Sequence, residues 1–182
     1  MLYFYKNKNK NYNIKMLNNI DEIKNILNNN RFSFEDYKYK LDIYMIDKNE
    51  NFYKIKKLSD ICNYAIIRDY NGVKSVILNN NVLQEAKINS IFFTHDLLYN
   101  FGYYELFHLN KDIYEYKDKD NLRKFYILNI KEQGCFLNII DISVREFKKF
   151  IKKLQKLGIK FYLKNCEVDN VQVELNKAIF KK

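Results

Sequence analysis

The chain has 182 residues, 47% of them apolar and 16% aromatic, enough for one substantial domain with a real core. Lys and Arg total 32 against 22 Asp and Glu, a formal net charge of +10 that points to anionic partners: phosphates, nucleotides, nucleic acid or a membrane surface. With 3 scattered Cys, 2 His and no apolar run near ~18 residues, the composition argues against a disulfide framework, a structural zinc site and a membrane span. The same richness in Asn, Lys, Ile and Tyr, with no Pro or Trp, is what AT-rich coding DNA produces, so part of the charge reads equally well as solubility.

The opening "MLYFYKNKNKN" has too short an apolar run for a signal peptide, and its charges follow that run. Cys62, Cys135 and Cys166 form no CxxC and read as free, mostly buried thiols. The expected location is the cytoplasm.

"NYNIKM" alternates with period two: Tyr12, Ile14 and Met16 on one face, Asn11, Asn13 and Lys15 on the other. A helix follows, capped by Asn19, with Ile20, Ile23, Ile26 and Leu27 on one side. "FSFEDYKYKLDIYMID" is one long strand or two short ones. Asn71-Gly72, between two apolar runs, is the best hairpin signal in the chain. "VLQEAKINSIFF" reads as a strand and "THDLLYNFGYY" as a short helix capped by Thr94 and stopped by Gly102.

A second hairpin joins "YELFHLNKDIYEYK" to "LRKFYILNIK" through "DKDN", and "GCFLNIID" is one more short strand. "SVREFKKFIKKLQKLGIKF" is an amphipathic helix, capped by Ser143 and ended by Gly158, with Phe147, Phe150, Ile151, Leu154 and Leu157 as its apolar stripe. "VQVELNKAIF" is a last short helix. No linker, repeat or composition break divides residues 1–182, which read as a single α+β domain of antiparallel strands. Eight or so strands suffice to close a barrel around one small ligand.

Four segments in this order resemble the CYTH superfamily of triphosphate tunnel metalloenzymes, which includes class IV adenylate cyclases and thiamine triphosphatases. They are the strand ending in Lys15 before "NNIDEIKNIL"; "KLDIYMID"; the hairpin "YAIIRDYNGVKSVIL"; and "GCFLNIID" with the helix closing in "KLGI". The resemblance runs from Asn11 to about Phe180. It implies an eight-stranded antiparallel β-barrel, a tunnel, with flanking helices. In such a tunnel Lys and Arg hold triphosphate while carboxylates hold Mg²⁺ or Mn²⁺.

Carried over by position, the family's pattern is only partly kept. Glu-x-Glu-x-Lys becomes Asn11, Asn13 and Lys15; Arg-x-Arg becomes Ile66 and Arg68; the next Lys falls on Asn79; the middle Glu-x-Glu becomes Glu85 and Lys87. Lys-x-Arg falls on Leu109 and Lys111, or, shifted by one, on Asn110 and Asp112. The seventh strand's Asp falls at Leu128 or Asn129. The last Glu-x-Glu becomes Asn138 and Ile140, and alternation turns the following Asp141 to the other face.

The resemblance thus implies Lys15, Arg68, Lys87 and Lys111 as triphosphate-binding residues. Asn11, Asn13, Glu85 and Asn138 line the tunnel, and no metal site remains beyond a weak candidate at Glu85. The expected function is a degenerate tunnel protein, a pseudoenzyme, that binds a nucleotide, triphosphate or polyphosphate with little or no catalysis. One alternative is an active adenylate cyclase or triphosphatase using Mg²⁺ or Mn²⁺. Another is a nucleic-acid-binding module working through the basic exterior.

Each feature also has a plainer reading. Lys15 is equally an exposed strand Lys; Arg68 has Asp69 beside it; Glu85 and Lys87 suit a cross-barrel ion pair. His95 and His108 lack a neighbouring carboxylate or Cys pattern and read as structural. The Lys run of "FKKFIKKLQK" reads as the solvated face of its helix.

Overall fold

The computed structural model describes residues 10–51, 54–80, 82–162 and 169–180. Among them lie eight strands and four α-helices. In chain order these are β1 (Lys10–Lys15), α1 (Ile20–Asn28), β2 (Phe32–Asp47), β3 (Asn63–Tyr70), β4 (Val73–Asn80), β5 (Val82–Lys87), α2 (Ile91–Asn100), β6 (Tyr103–Asp118), β7 (Lys124–Ile130), β8 (Gly134–Ile142), α3 (Val144–Lys156) and α4 (Asn170–Phe180). The strands form one eight-stranded sheet of order β1-β8-β7-β6-β2-β3-β4-β5, and its resolved pairings are antiparallel.

This α+β sheet is not the closed barrel expected from the sequence. Its hydrogen-bonded order is linear among the described residues, with β1 and β5 at the ends. One end of β1 is already occupied by another segment. The Tyr162 N–H donates to the Lys15 carbonyl (2.9 Å), the Leu17 N–H to the Lys160 carbonyl (2.9 Å), and Met16 bridges Phe161. Backbone groups paired in this way cannot serve a closing strand.

The chain divides into two compact units, each made of two stretches: Met1–Tyr37 with Ile113–Val168, and Lys38–Asp112 with Asp169–Lys182. In the first, the alternation of β1 sends Tyr12 and Ile14 into a core with Ile127, Leu137, Ile139 and Ile23. The α3 stripe of Phe147, Phe150, Ile151 and Leu154 joins it, and Tyr12 stacks on Phe147 at 3.8 Å. The α3 N-terminus is a capping box: the Glu146 N–H donates to Ser143 Oγ, and the Ser143 N–H to Glu146 Oε2.

In the second unit, α2 covers one face of β2, β3 and β4. Met45, Ala65, Ile67 and Leu98 are buried there, with Ile43, Val76, Leu78 and Ile91 packed around them. The β3–β4 turn has Asn71 at φ 52° and Gly72 at φ 83°, the two positive angles that the Asn-Gly signal anticipates.

Several local expectations are corrected. Residues Ile91, Phe92 and Phe93 begin α2 instead of extending the strand. Ser90 caps it, accepting from the Phe93 N–H at 3.2 Å. Thr94 lies one turn in, its hydroxyl donating to the Ser90 carbonyl. Cys62 is exposed and only Cys135 is buried, where burial pushes its thiol up to about 11; Cys166 lies outside the described residues. Among the described residues, no helix is long and apolar enough to cross a membrane.

Candidate phosphate-binding site

Register places the predicted residues in two sets. On β1 and β8, Asn13 lies opposite Asn138, with Tyr126 of β7 next in the same row. This face is the one turned away from the Ile14–Leu137 core. Lys15 is exposed and opposite Phe136. Asn11 plays a structural part, its side-chain oxygen accepting the Asp141 N–H at 3.0 Å. The β1–β8 register shifts there, Asp141 has φ 55°, and both Ile140 and Asp141 are exposed. A β-bulge therefore breaks the alternation expected to separate Asp141 from the tunnel-facing set.

The second set is denser. One row across the sheet reads Asp42, Arg68, Ser75, Lys87; the next reads Tyr44, Ile66, Ile77, Glu85. Both lie on the face of β2–β5 opposite α2. The second row is largely buried, and Phe107 of β6 stacks on Tyr44 at 4.5 Å. Alternation along β6 then gives Leu109 and Lys111 the same side as Phe107. Arg68, Glu85, Lys87 and Lys111 thus share this face. Lys15, Asn11, Asn13 and Asn138 belong to the other unit.

Asp42 is the centre of the second set. It is only 2% exposed, and its carboxylate accepts from Arg68 Nε at 2.6 Å and Lys40 Nζ at 3.0 Å. The Arg68 guanidinium is raised from its ordinary value, first by that hydrogen bond and against the cost of burial. Arg68 therefore pairs across strands with Asp42 and not with its neighbour Asp69. Glu85 accepts from Ser75 Oγ at 2.8 Å instead of pairing with Lys87.

Lys111 is the member most burdened by burial. Its amine is pulled below its ordinary value, first by desolvation and next by the Lys40 charge. The Asp42 and Asp169 carboxylates oppose that shift, and Arg68 adds to it. The salt bridges of Asp42 to described residues go to Lys40 and Arg68, not to Lys111. Burial likewise pushes the Tyr44 phenol up, reinforced by Asp42.

Sequence reasoning does not single out Lys40, Asp42, Tyr44, Ser75 or Asp169. The signal for three of them is present: in "KYKLDIYM", Lys40, Asp42 and Tyr44 alternate with Leu41, Ile43 and Met45. Asp169 has none, because it comes from the far end of the chain.

The donor set does not suit a hard divalent ion. Both Asp42 oxygens face cations, Glu85 is exposed and bound to Ser75, and no three His, Cys, Asp or Glu side chains converge among the described residues. The histidines need a correction as well. Glu105 accepts or shares a proton with His108 Nδ1 at 2.9 Å and lies 3.4 Å from His95 Nε2. A carboxylate does sit between them.

No family model matches the chain, and no curated protein sequence matches it. Solved structures do. The PH1819 protein from Pyrococcus horikoshii OT3 is 20% identical over 94% of this chain and 99% of its own, with a TM-score of 0.52. The hypothetical protein NE1496 is 10% identical over 92% and 97%, with a TM-score of 0.55. A candidate adenylate cyclase from Vibrio parahaemolyticus is 14% identical over 93% and 98%, at a TM-score of 0.47, too slight a likeness to carry an argument. At these identities the likeness is one of fold alone.

Proposed function

We propose that the polar face of β2–β6 binds the phosphate groups of a small molecule, a nucleotide, triphosphate or polyphosphate, without a metal escort and with little or no catalysis. The observation that carries the reading is the set of three cations, Lys40, Arg68 and Lys111, around one buried carboxylate, Asp42. With Asp169 counted, these three cations meet two carboxylates, and the desolvated Lys111 is left short of a counter-charge of its own. A phosphate group supplies that charge through charge-assisted hydrogen bonds. Lys87, in the Arg68 row and exposed, is placed to take a further phosphate.

The resemblance to the triphosphate-tunnel family supports the same reading, since "KLDIYMID" and "YAIIRDYNG" supply Lys40, Asp42 and Arg68. The reading does not require a closed tunnel, because the cluster lies within one unit. It leaves out Lys15 and the Asn11, Asn13 and Asn138 face. The alternative, an active adenylate cyclase or triphosphatase, needs Mg²⁺ or Mn²⁺ and a carboxylate pair to hold it. Asp42, paired with two cations, is a poor donor for that purpose. A cytoplasmic site, where phosphorylated metabolites are abundant, fits this reading.

Equilibrium binding of mono-, di- and triphosphate in the presence of a chelator tests it. Affinity rising with phosphate number is the expected result. Turnover of ATP or triphosphate on adding Mn²⁺ would instead establish the enzyme reading.

A further inference from the structure

The two faces of helix α3 differ in what they meet. Its apolar stripe is buried in the core of the first unit. Its outer face carries Arg145, Lys148, Lys149, Lys152 and Lys156, all exposed. Spacings of three and four residues set these cations in one stripe about 16 Å long. None of the five makes a salt bridge to a described residue, whereas the cations beside them are matched: Arg123 to Glu146, Lys124 to Glu115, and Lys153 to Asp118 and Asp120. The fold pairs the inner cations and leaves the outer row without salt bridges to described residues, although Glu146 feels the Lys149 charge.

A groove of about 660 Å³ runs beside this row. Arg123, Lys124, Lys149 and Lys153 line it, together with Tyr126, the exposed Ile140 and two carboxylates, Asp141 and the Arg123-paired Glu146. A second hollow of about 390 Å³, lined by Lys149, Lys152, Lys153 and Lys156, shares two of those lysines. A cationic row next to a concave aromatic and aliphatic surface is the combination that holds single-stranded nucleic acid without sequence preference: phosphates on the row, unstacked bases in the groove. A lipid surface fits less well. It is too flat to enter the groove, and the apolar residues with which a helix lies in a membrane are here buried in the core.

We propose that α3 and its adjoining groove bind the backbone of single-stranded nucleic acid, with Lys149, Lys152 and Lys156 contacting phosphates and the groove beside Tyr126 receiving a base. This surface lies wholly in the first unit, and its residues are separate from those proposed above for phosphate binding.

The test is fluorescence anisotropy of labelled dT20 with wild type, with a Lys149→Ala, Lys152→Ala, Lys156→Ala variant, and with Arg68→Ala. Phosphatidylserine vesicles form a parallel arm. Wild type is expected to bind dT20 with a dissociation constant on the order of 1–100 µM, with affinity falling as salt rises. At about 0.7 per phosphate contact, the triple variant should lower the log–log salt slope by roughly 2. Arg68→Ala should bind dT20 as wild type does. Circular dichroism melts confirm that the variants fold, since Ala is a strong helix former at exposed helix positions. Absence of dT20 binding at low salt, an unchanged slope in the triple variant, or vesicle binding that depends on the three lysines while dT20 binding does not, would each overturn the proposal. Loss of dT20 binding in Arg68→Ala would instead assign it to the other site.

Discussion

Asp42 is the residue on which the candidate site turns. Its carboxylate is buried and opposed by the Arg68 guanidinium and the Lys40 ammonium. Removing one partner of such a group leaves the others desolvated without compensation, so Asp42→Asn should cost about 3 kcal/mol. Denaturant unfolding measures this, and the loss should shrink when triphosphate is present, because the ligand replaces the missing charge. Lys111 makes the opposite prediction. Its folded-state pKa lies below the ordinary 10.5, so its protonated form is a burden on the fold. That burden is fully present below the folded pKa and disappears as pH rises to the unfolded value. Lys111→Met should therefore stabilise the protein at pH 7, the gain vanishing above about pH 10.5, while weakening phosphate binding. Unfolding curves at the two pH values, paired with a binding titration, check both halves. A variant less stable and equally able to bind phosphate would remove Lys111 from the site.

The elements show which signals in a sequence survive folding. Caps and turns with their own chemistry were legible: Asn19, Ser143 and Asn71-Gly72 all act as their positions imply. Ser143→Ala should cost about 1 kcal/mol, and Gly72→Ala, which forces a side chain into φ 83°, about 1–2 kcal/mol. Thermal melts of each single variant are sufficient to measure this. The start of α2 was not legible, because Ser90 and Thr94 are both plausible caps and "SIFF" favours a strand by composition alone. The β8 bulge was also hidden. Nothing local in "IIDIS" marks the residue at which alternation stops, and it is Asn11, 130 residues away in sequence, that holds the bulged N–H. Parity arguments held along β2 to β5 because no bulge interrupts the registers there.

At the scale of the molecule, the sequence carried the strand-rich α+β order and the solved structures share its fold. It did not carry the linear order of the sheet, in which β1 and β5 stand at the ends among the described residues. It showed individual cations but not their partners. That Arg68 would join Lys40 on Asp42 depends on the β2–β3 register, which no motif states. The central claim is that Lys40, Arg68 and Lys111 form one metal-independent phosphate site. The most direct measurement is calorimetric titration of tripolyphosphate, with chelator present, into wild type and a Lys40→Ala, Arg68→Ala, Lys111→Ala variant that retains its circular dichroism spectrum. Saturable binding by wild type, reduced at least about 100-fold in the variant as contacts of roughly 1.5–3 kcal/mol each are removed, is the predicted result. Equal binding by both proteins, or none by wild type at millimolar ligand, would contradict it.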